Sequence, residues 1–200
     1  MATYTKQPSS VDARNASDDT GFTGATGNNI SLDHKSDQIR HMYLKFDISD
    51  FIYASSTINS ATISLYYYST GVGTPTGRID CWKCTKNWVE GQACWDNYAT
   101  GTAWTTPGGD YATSSPAGGY ANLPAEGNWL TITITDLVKD AIDTGSSIVN
   151  VLVKYNSEVS ASRDIPVFYS RREATNTTLR PKIDITYTLT VNSGAFFNFF

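Results

Sequence analysis

Five stretches of this chain alternate apolar and polar residues one by one, and that period restricts its fold more than any other feature. In HMYLKFDIS, Met42, Leu44, Phe46 and Ile48 fall on one side, and Tyr43, Lys45 and Asp47 on the other. In ATISLYYYS, Ile63, Leu65 and Tyr67 oppose Thr62, Ser64 and Tyr66. WLTITIT sets Leu130, Ile132 and Ile134 against threonines, and IVNVLVKY and PKIDITYTL read the same way. Successive side chains of a strand point to opposite faces, so the pattern predicts half-buried antiparallel strands. Clusters such as STGVGTPTG and TTPGGDYATSSPAGGY are the turns between them.

One segment reads as helix. In TDLVKDAIDTG, Leu137, Val138, Ala141 and Ile142 form a stripe, Thr135 is placed to cap the N-terminus, and Gly145 to supply the left-handed residue at the end. Residues 12–40 are polar and rich in Asp, Asn and Gly, which predicts a long irregular loop after a short strand near Tyr4. No fixed-period repeat or long linker divides the 200 residues. The expected architecture is an all-β, jelly-roll-like antiparallel β-sandwich with one short helix, covering residues 1–189 and followed by an aromatic tail over 190–200.

A net charge of −4 argues against general nucleic-acid binding, which needs a basic face. Charged residues make up 17% of the chain, and Thr, Ser, Asn, Gly and Tyr take their place, as in extracellular and virion β-proteins. The first residues, MATYTKQPSS, hold no apolar run of the kind a classical signal peptide carries, and no stretch is long and apolar enough for a membrane span. The expected location is a virion or an extracellular surface reached by another route.

Three segments carry more identity than the alternation does. They are YLKFDISDFIYASSTINSATISLYYY, CTKNWVEGQACWDNYATGTAWTTPGGDY and IPVFYSRREATNTTLRPKIDITY. Together they resemble the DNRLRE (disaggregatase-related) domains, which overlap a carbohydrate-binding module class. The resemblance runs from Ser10 to Tyr187. It implies a jelly-roll-like sandwich of the kind appended to extracellular enzymes, adhesins and phage structural proteins, and it implies binding or scaffolding in place of catalysis.

The residues give the same direction. A glycosidase needs two carboxyls about 5 to 9 Å apart in a cleft, and nothing in the spacing of Glu90, Glu126, Glu158 and Glu173 sets up such a pair. With His34 and His41 as the only histidines, no Ser-His-Asp spacing appears, so the chain is read as no enzyme and as needing no cofactor. Cys81 and Cys84 have the spacing of a zinc half-site, with Cys94, His34 and His41 as remaining ligands, but residues three apart on a strand face opposite ways, so packed free thiols are expected. Asp12, Asn15, Asp18 and Asp19 offer hard oxygens for a structural calcium in a polar loop.

Ligand contact is assigned to four residues. Trp82 and Lys83 lie in the strand RIDCWKC, and Trp82, pointing opposite to Cys81, is expected on an exposed face. Arg171 and Arg172 suit the carboxylate of an acidic sugar, but as neighbours on a strand they are not expected to reach one side together. A Glu173–Arg180 pair is expected to pin the loop that follows, while Trp88, Trp95 and Trp104 are read as core.

The chain ends in GAFFNFF. Phe196, Phe197, Phe199 and Phe200 form an apolar cluster too short to cross a bilayer. Each exposes surface worth roughly 2–3 kcal/mol on burial, which marks a contact with a partner subunit, either another copy or a capsid or tail protein. The alternative is a last edge strand closing the chain's own core. The functional expectation is therefore a structural module on a larger assembly, a phage virion decoration or fibre-type protein. Its alternatives are a module for acidic polysaccharide and a self-assembling extracellular fibre subunit.

Overall fold

The alternating stretches pair into two six-stranded antiparallel sheets. The computed structural model describes residues 1–16, 27–51, 56–114 and 117–189, with backbone alone for 10–16. The first sheet has the order β1 (Ala2–Lys6), β14 (Lys182–Leu189), β6 (Ser56–Val72), β13 (Ile165–Tyr169), β3 (Asn29–Ser31), with β11 (Asn128–Thr133) also on β6. The second has the order β10 (Ala117–Asn122), β7 (Arg78–Lys83), β12 (Ile148–Tyr155), β5 (Gln38–Asp47), β2 (Ser10–Ala16), with β4 (Asp33–Lys35) also on β5. A ribbon of β8 (Asn97–Ala99) and β9 (Thr102–Ala103) stands apart, and α1 spans Thr135–Asp143. The chain changes sheet at β1–β2, β2–β3, β3–β4, β5–β6, β6–β7, β10–β11, β11–β12 and β12–β13, which makes this a jelly-roll-like sandwich.

The apolar side of each alternation faces inward. Met42, Leu44 and Phe46 of β5 and Val149, Val151 and Val153 of β12 meet Ile63, Leu65, Leu130, Ile132, Phe168, Ile183 and Ile185 of the first sheet in one cluster. Burying each such side chain contributes about 1.5–3 kcal/mol against the entropy of ordering the chain. β1 pairs with β14 from Ala2 opposite Tyr187 to Lys6 opposite Ile183, so the two ends of the described chain lie side by side. Side chains reinforce this edge: Thr5 Oγ1 donates to Asp184 at 2.5 Å, Lys6 to Asp50 at 2.6 Å, and Tyr4 also to Asp50.

The outer face of the second sheet departs from the expectation for a solvated side. Tyr43 and Leu152, paired across β5 and β12, are fully buried there. They form a second cluster with Cys84, Trp88, Ala93 and Trp104, supplied by the long connection between β7 and β10. Lys45 and Asn150 anchor this connection. Lys45 Nζ donates to Asn87 Oδ1 at 2.7 Å and to the Trp88 carbonyl, and Asn150 Nδ2 donates to the carbonyls of Cys84 and Lys86 at 3.1 and 2.8 Å.

Two local expectations need correction. Much of residues 12–40 is strand, because β2, β3 and β4 pair with neighbours in both sheets, so Asp12 and Asn15 sit on β2 opposite Tyr43 and His41 and not in a loop. Thr135 does not cap α1. Its hydroxyl accepts from the Ala61 amide at 3.0 Å and ties the helix start to β6, while the N-cap position falls on Ile134. The other end follows the sequence: Gly145, at φ +69°, lets its own amide reach the Ile142 carbonyl and the Ser146 amide reach that of Ala141.

Candidate functional site

Trp82 is half-buried, its ring centroid 5.4 Å from that of Tyr111, and its Nε1 is buried without a partner among the described residues. It points opposite to Cys81 as expected, but the β7–β10 connection roofs that face, so Trp82 offers no open platform. Lys83 forms an ion pair with Asp140 of α1 at 2.6 Å, on the wall of a cleft also lined by Lys86, Asn87 and Thr144.

Arg171 and Arg172 do reach one side together, because β13 ends at Tyr169 and both lie in a turn, where strand alternation no longer applies. Arg171 grips Glu90 through both carboxylate oxygens, with Nε to Oε1 at 2.8 Å, and Arg172 Nη2 adds a contact to Oε1 at 3.3 Å. They therefore tie the connection after β7 to the connection after β13. The Glu173–Arg180 loop is pinned by other atoms than expected. Arg180 Nε donates to the Glu173 backbone carbonyl at 2.7 Å, and the buried Glu173 carboxylate accepts from the amides of Thr175 and Asn176 at 2.8 and 2.9 Å.

Cys81 lies in the inner cluster and Cys84 in the outer one, so the sheet separates them. Both are free and buried, and burial pushes the Cys84 thiol up to about 12 and that of Cys81 higher still. Asp18, Asp19 and the four terminal phenylalanines lie outside the described residues.

A polar cluster joins the second sheet to its roof. Both ring nitrogens of His41 face oxygens, Glu158 Oε1 at 2.6 Å and the Gly108 carbonyl at 2.5 Å. Lys154 Nζ lies 3.0 Å from Glu158 Oε2.

The outer face of the first sheet is different, because aromatic side chains stand on it half-exposed. Trp129 of β11 pairs with Tyr66 of β6, and Tyr169 of β13 pairs with Asn29 of β3. Their rings form a row: Trp129 and Tyr66 are 5.3 Å apart edge to face, and Tyr66 and Tyr169 lie 5.8 Å apart and nearly parallel. Tyr68 overlaps Tyr169 at 4.6 Å, and its hydroxyl accepts from Asn29 Nδ2 at 3.4 Å. Lys182 Nζ lies 5.5 Å from the centre of the Trp129 ring. Serines and threonines surround the row, with Ser64 and Thr131 joined at 3.2 Å.

Residues 13–185 match the model of the disaggregatase related repeat domain. The chain belongs to that family. No curated protein matches it. Within the matched span of this repeat domain lie both the roofed face and the aromatic row.

The row was not among the expected ligand contacts. Tyr66 and Tyr68, two apart and so on one face, were a readable sign of it. Trp129 and Tyr169 join them through strand register, which the sequence does not display.

Glu158 gives the repeat domain an acid-sensitive tie. Burial works to raise its pKa, but the His41 hydrogen bond, the His41 charge and Lys154 together hold it below the usual value. A carboxyl lowered on folding contributes stability above its unfolded pKa and loses it as pH falls through the folded one. The melting temperature therefore declines on acidification below the ordinary value of 4.5. Glu158→Gln is expected to flatten part of that decline and to cost about 1–3 kcal/mol at neutral pH. Thermal melts from about pH 7 down to about pH 3 check both effects.

Proposed function

We propose that this repeat domain is a non-catalytic binding module on the surface of a larger assembly, virion or extracellular, and that a glycan is its ligand. The observation that carries the reading is the aromatic row on the outer face of the first sheet. Aromatic faces and edges pack against the apolar CH surfaces of sugars, while phenol and hydroxyl groups bond their oxygens. A non-catalytic role is supported by the engagement of carboxylates in structural contacts: Glu90 by two arginines, Glu158 by His41 and Lys154, and Glu173 by backbone amides. Such a module works without a cofactor. A structural calcium near Asp12 and Asn15 is a proposal for metal analysis of the intact protein.

Glycan-array binding tests the reading. Tyr169→Ala and Trp129→Ala are each expected to abolish or strongly weaken binding while shifting the melting temperature little, since both side chains are half-exposed. Retained binding in both variants overturns the row as the site.

The Phe-rich tail favours the assembly half of the reading, in which the module decorates a capsid or joins a fibre. Deleting residues 195–200 is expected to reduce particle size by light scattering or incorporation into a parent particle. No change in either quantity removes the tail as a docking element.

A further inference from the structure

We infer that the glycan held by the aromatic row is electrically neutral and lies across the strands, one sugar residue per strand. This rests on the glycan-binding reading and narrows it to a ligand class and a direction.

Charge decides the first part. Among the described residues, Lys182 is the cation placed over the Trp129 ring, and it is already ion-paired with Asp184 at 3.1 Å. Glu126, three residues before Trp129 in the chain, accepts from the Thr70 amide at 2.5 Å. Arg171 and Arg172, which follow Tyr169 after one residue, are both engaged with Glu90. Among the described residues, the guanidiniums that follow Tyr169 converge on the one Glu90 carboxylate, and a carboxylated or sulfated chain would have to compete with that carboxylate for the bidentate contact that arginine favours. What it would meet are phenol, amide and hydroxyl groups, which suit the neutral hydroxyls of a sugar.

Register decides the second part. Trp129, Tyr66, Tyr169 and Asn29 lie on four strands, β11, β6, β13 and β3, and so run perpendicular to the strand direction. Neighbouring strands are about 4.8 Å apart, close to the advance of an extended β-linked chain per sugar residue. Three aromatic positions and one amide position therefore stand in step with consecutive sugars. Along β6 the same face repeats only every second residue: Tyr68 follows Tyr66 on one side, and Ser64 and Thr62 follow on the other without a ring, so the lengthwise row holds two rings on this strand where the crosswise one holds three on successive strands.

The test uses the whole chain and neutral β-1,4-linked gluco-, xylo- and manno-oligosaccharides of increasing length, with oligogalacturonides of matched length as the anionic counterpart. Calorimetry is expected to show affinity for at least one neutral series that rises with each residue up to three or four and then levels off, unaffected by salt. Tyr169→Ala is expected to weaken it about tenfold or more. Tighter, salt-sensitive binding of the oligogalacturonides overturns neutrality while leaving a glycan-binding module. Affinity that keeps rising well past four residues overturns the crosswise placement. Failure of both neutral and anionic series to bind removes the glycan reading itself.

Discussion

Trp88→Ala is expected to destabilise the domain by about 3–5 kcal/mol, the range for emptying a large aromatic site in a core. Trp88 is 1% exposed and sits at the centre of the outer cluster, its ring 5.8 Å from that of Tyr43 and 4.6 Å below Lys45 Nζ. Its Nε1 donates to Asn150 Oδ1 at 2.8 Å. Truncation leaves that oxygen without its donor, and the same Asn150 positions the carbonyls of Cys84 and Lys86. The loss therefore spreads from a cavity to the anchoring of the whole β7–β10 connection. Urea unfolding measures the effect, and a fall of the melting temperature of about 10 °C or more accompanies it. A small change would mean that the roof and the sandwich unfold separately.

Gly109→Ala is the second large effect, about 2–4 kcal/mol. Gly109 has φ +118°, and a Cβ added there would lie 2.6 Å from the Tyr43 hydroxyl oxygen and 2.8 Å from Leu152 Cδ1. Those two atoms belong to the floor of the outer cluster, and the Tyr43 hydroxyl donates to the neighbouring Gly108 carbonyl. Gly101 supplies the control. It also has positive φ, +69°, but nothing lies within 4 Å of its added Cβ. Gly101→Ala is expected to cost only about 1–2 kcal/mol, the backbone component alone. Parallel thermal melts of the two variants separate backbone strain from collision, and equal losses would remove the packing argument.

Legibility differed from one part of the molecule to another for physical reasons. The inner core could be read because a period of two is imposed on every residue of a strand: Met42, Leu44 and Phe46 had to share a face. The roof could not be read in this way, since Trp88, Ala93 and Trp104 are placed by what they touch and follow no period. Its trace was present in Tyr43 and Leu152, two large apolar side chains on the nominally polar side of their strands. Arg171 and Arg172 were misjudged because alternation was carried one step too far, past the end of β13 into a turn. The aromatic row depends on which strands are neighbours, and adjacency in a jelly-roll-like sandwich joins segments as distant as Tyr66 and Tyr169.

The side-by-side placement of β1 and β14 bears on how the domain carries load. Tension applied near Ala2 and Leu189 acts at one corner and pulls the paired strands apart sideways. In that geometry the ladder bonds break one after another and not all at once, as they would under shear along the strands. A domain of this build, repeated in tandem, would yield first at this edge. Peeling the five residues of β1 would release slack of about 17 Å, while β14 remains paired to β6 and the inner core stays closed. Tyr4 and Lys6 lie within β1, so their ties to Asp50 have to break before the whole strand comes away.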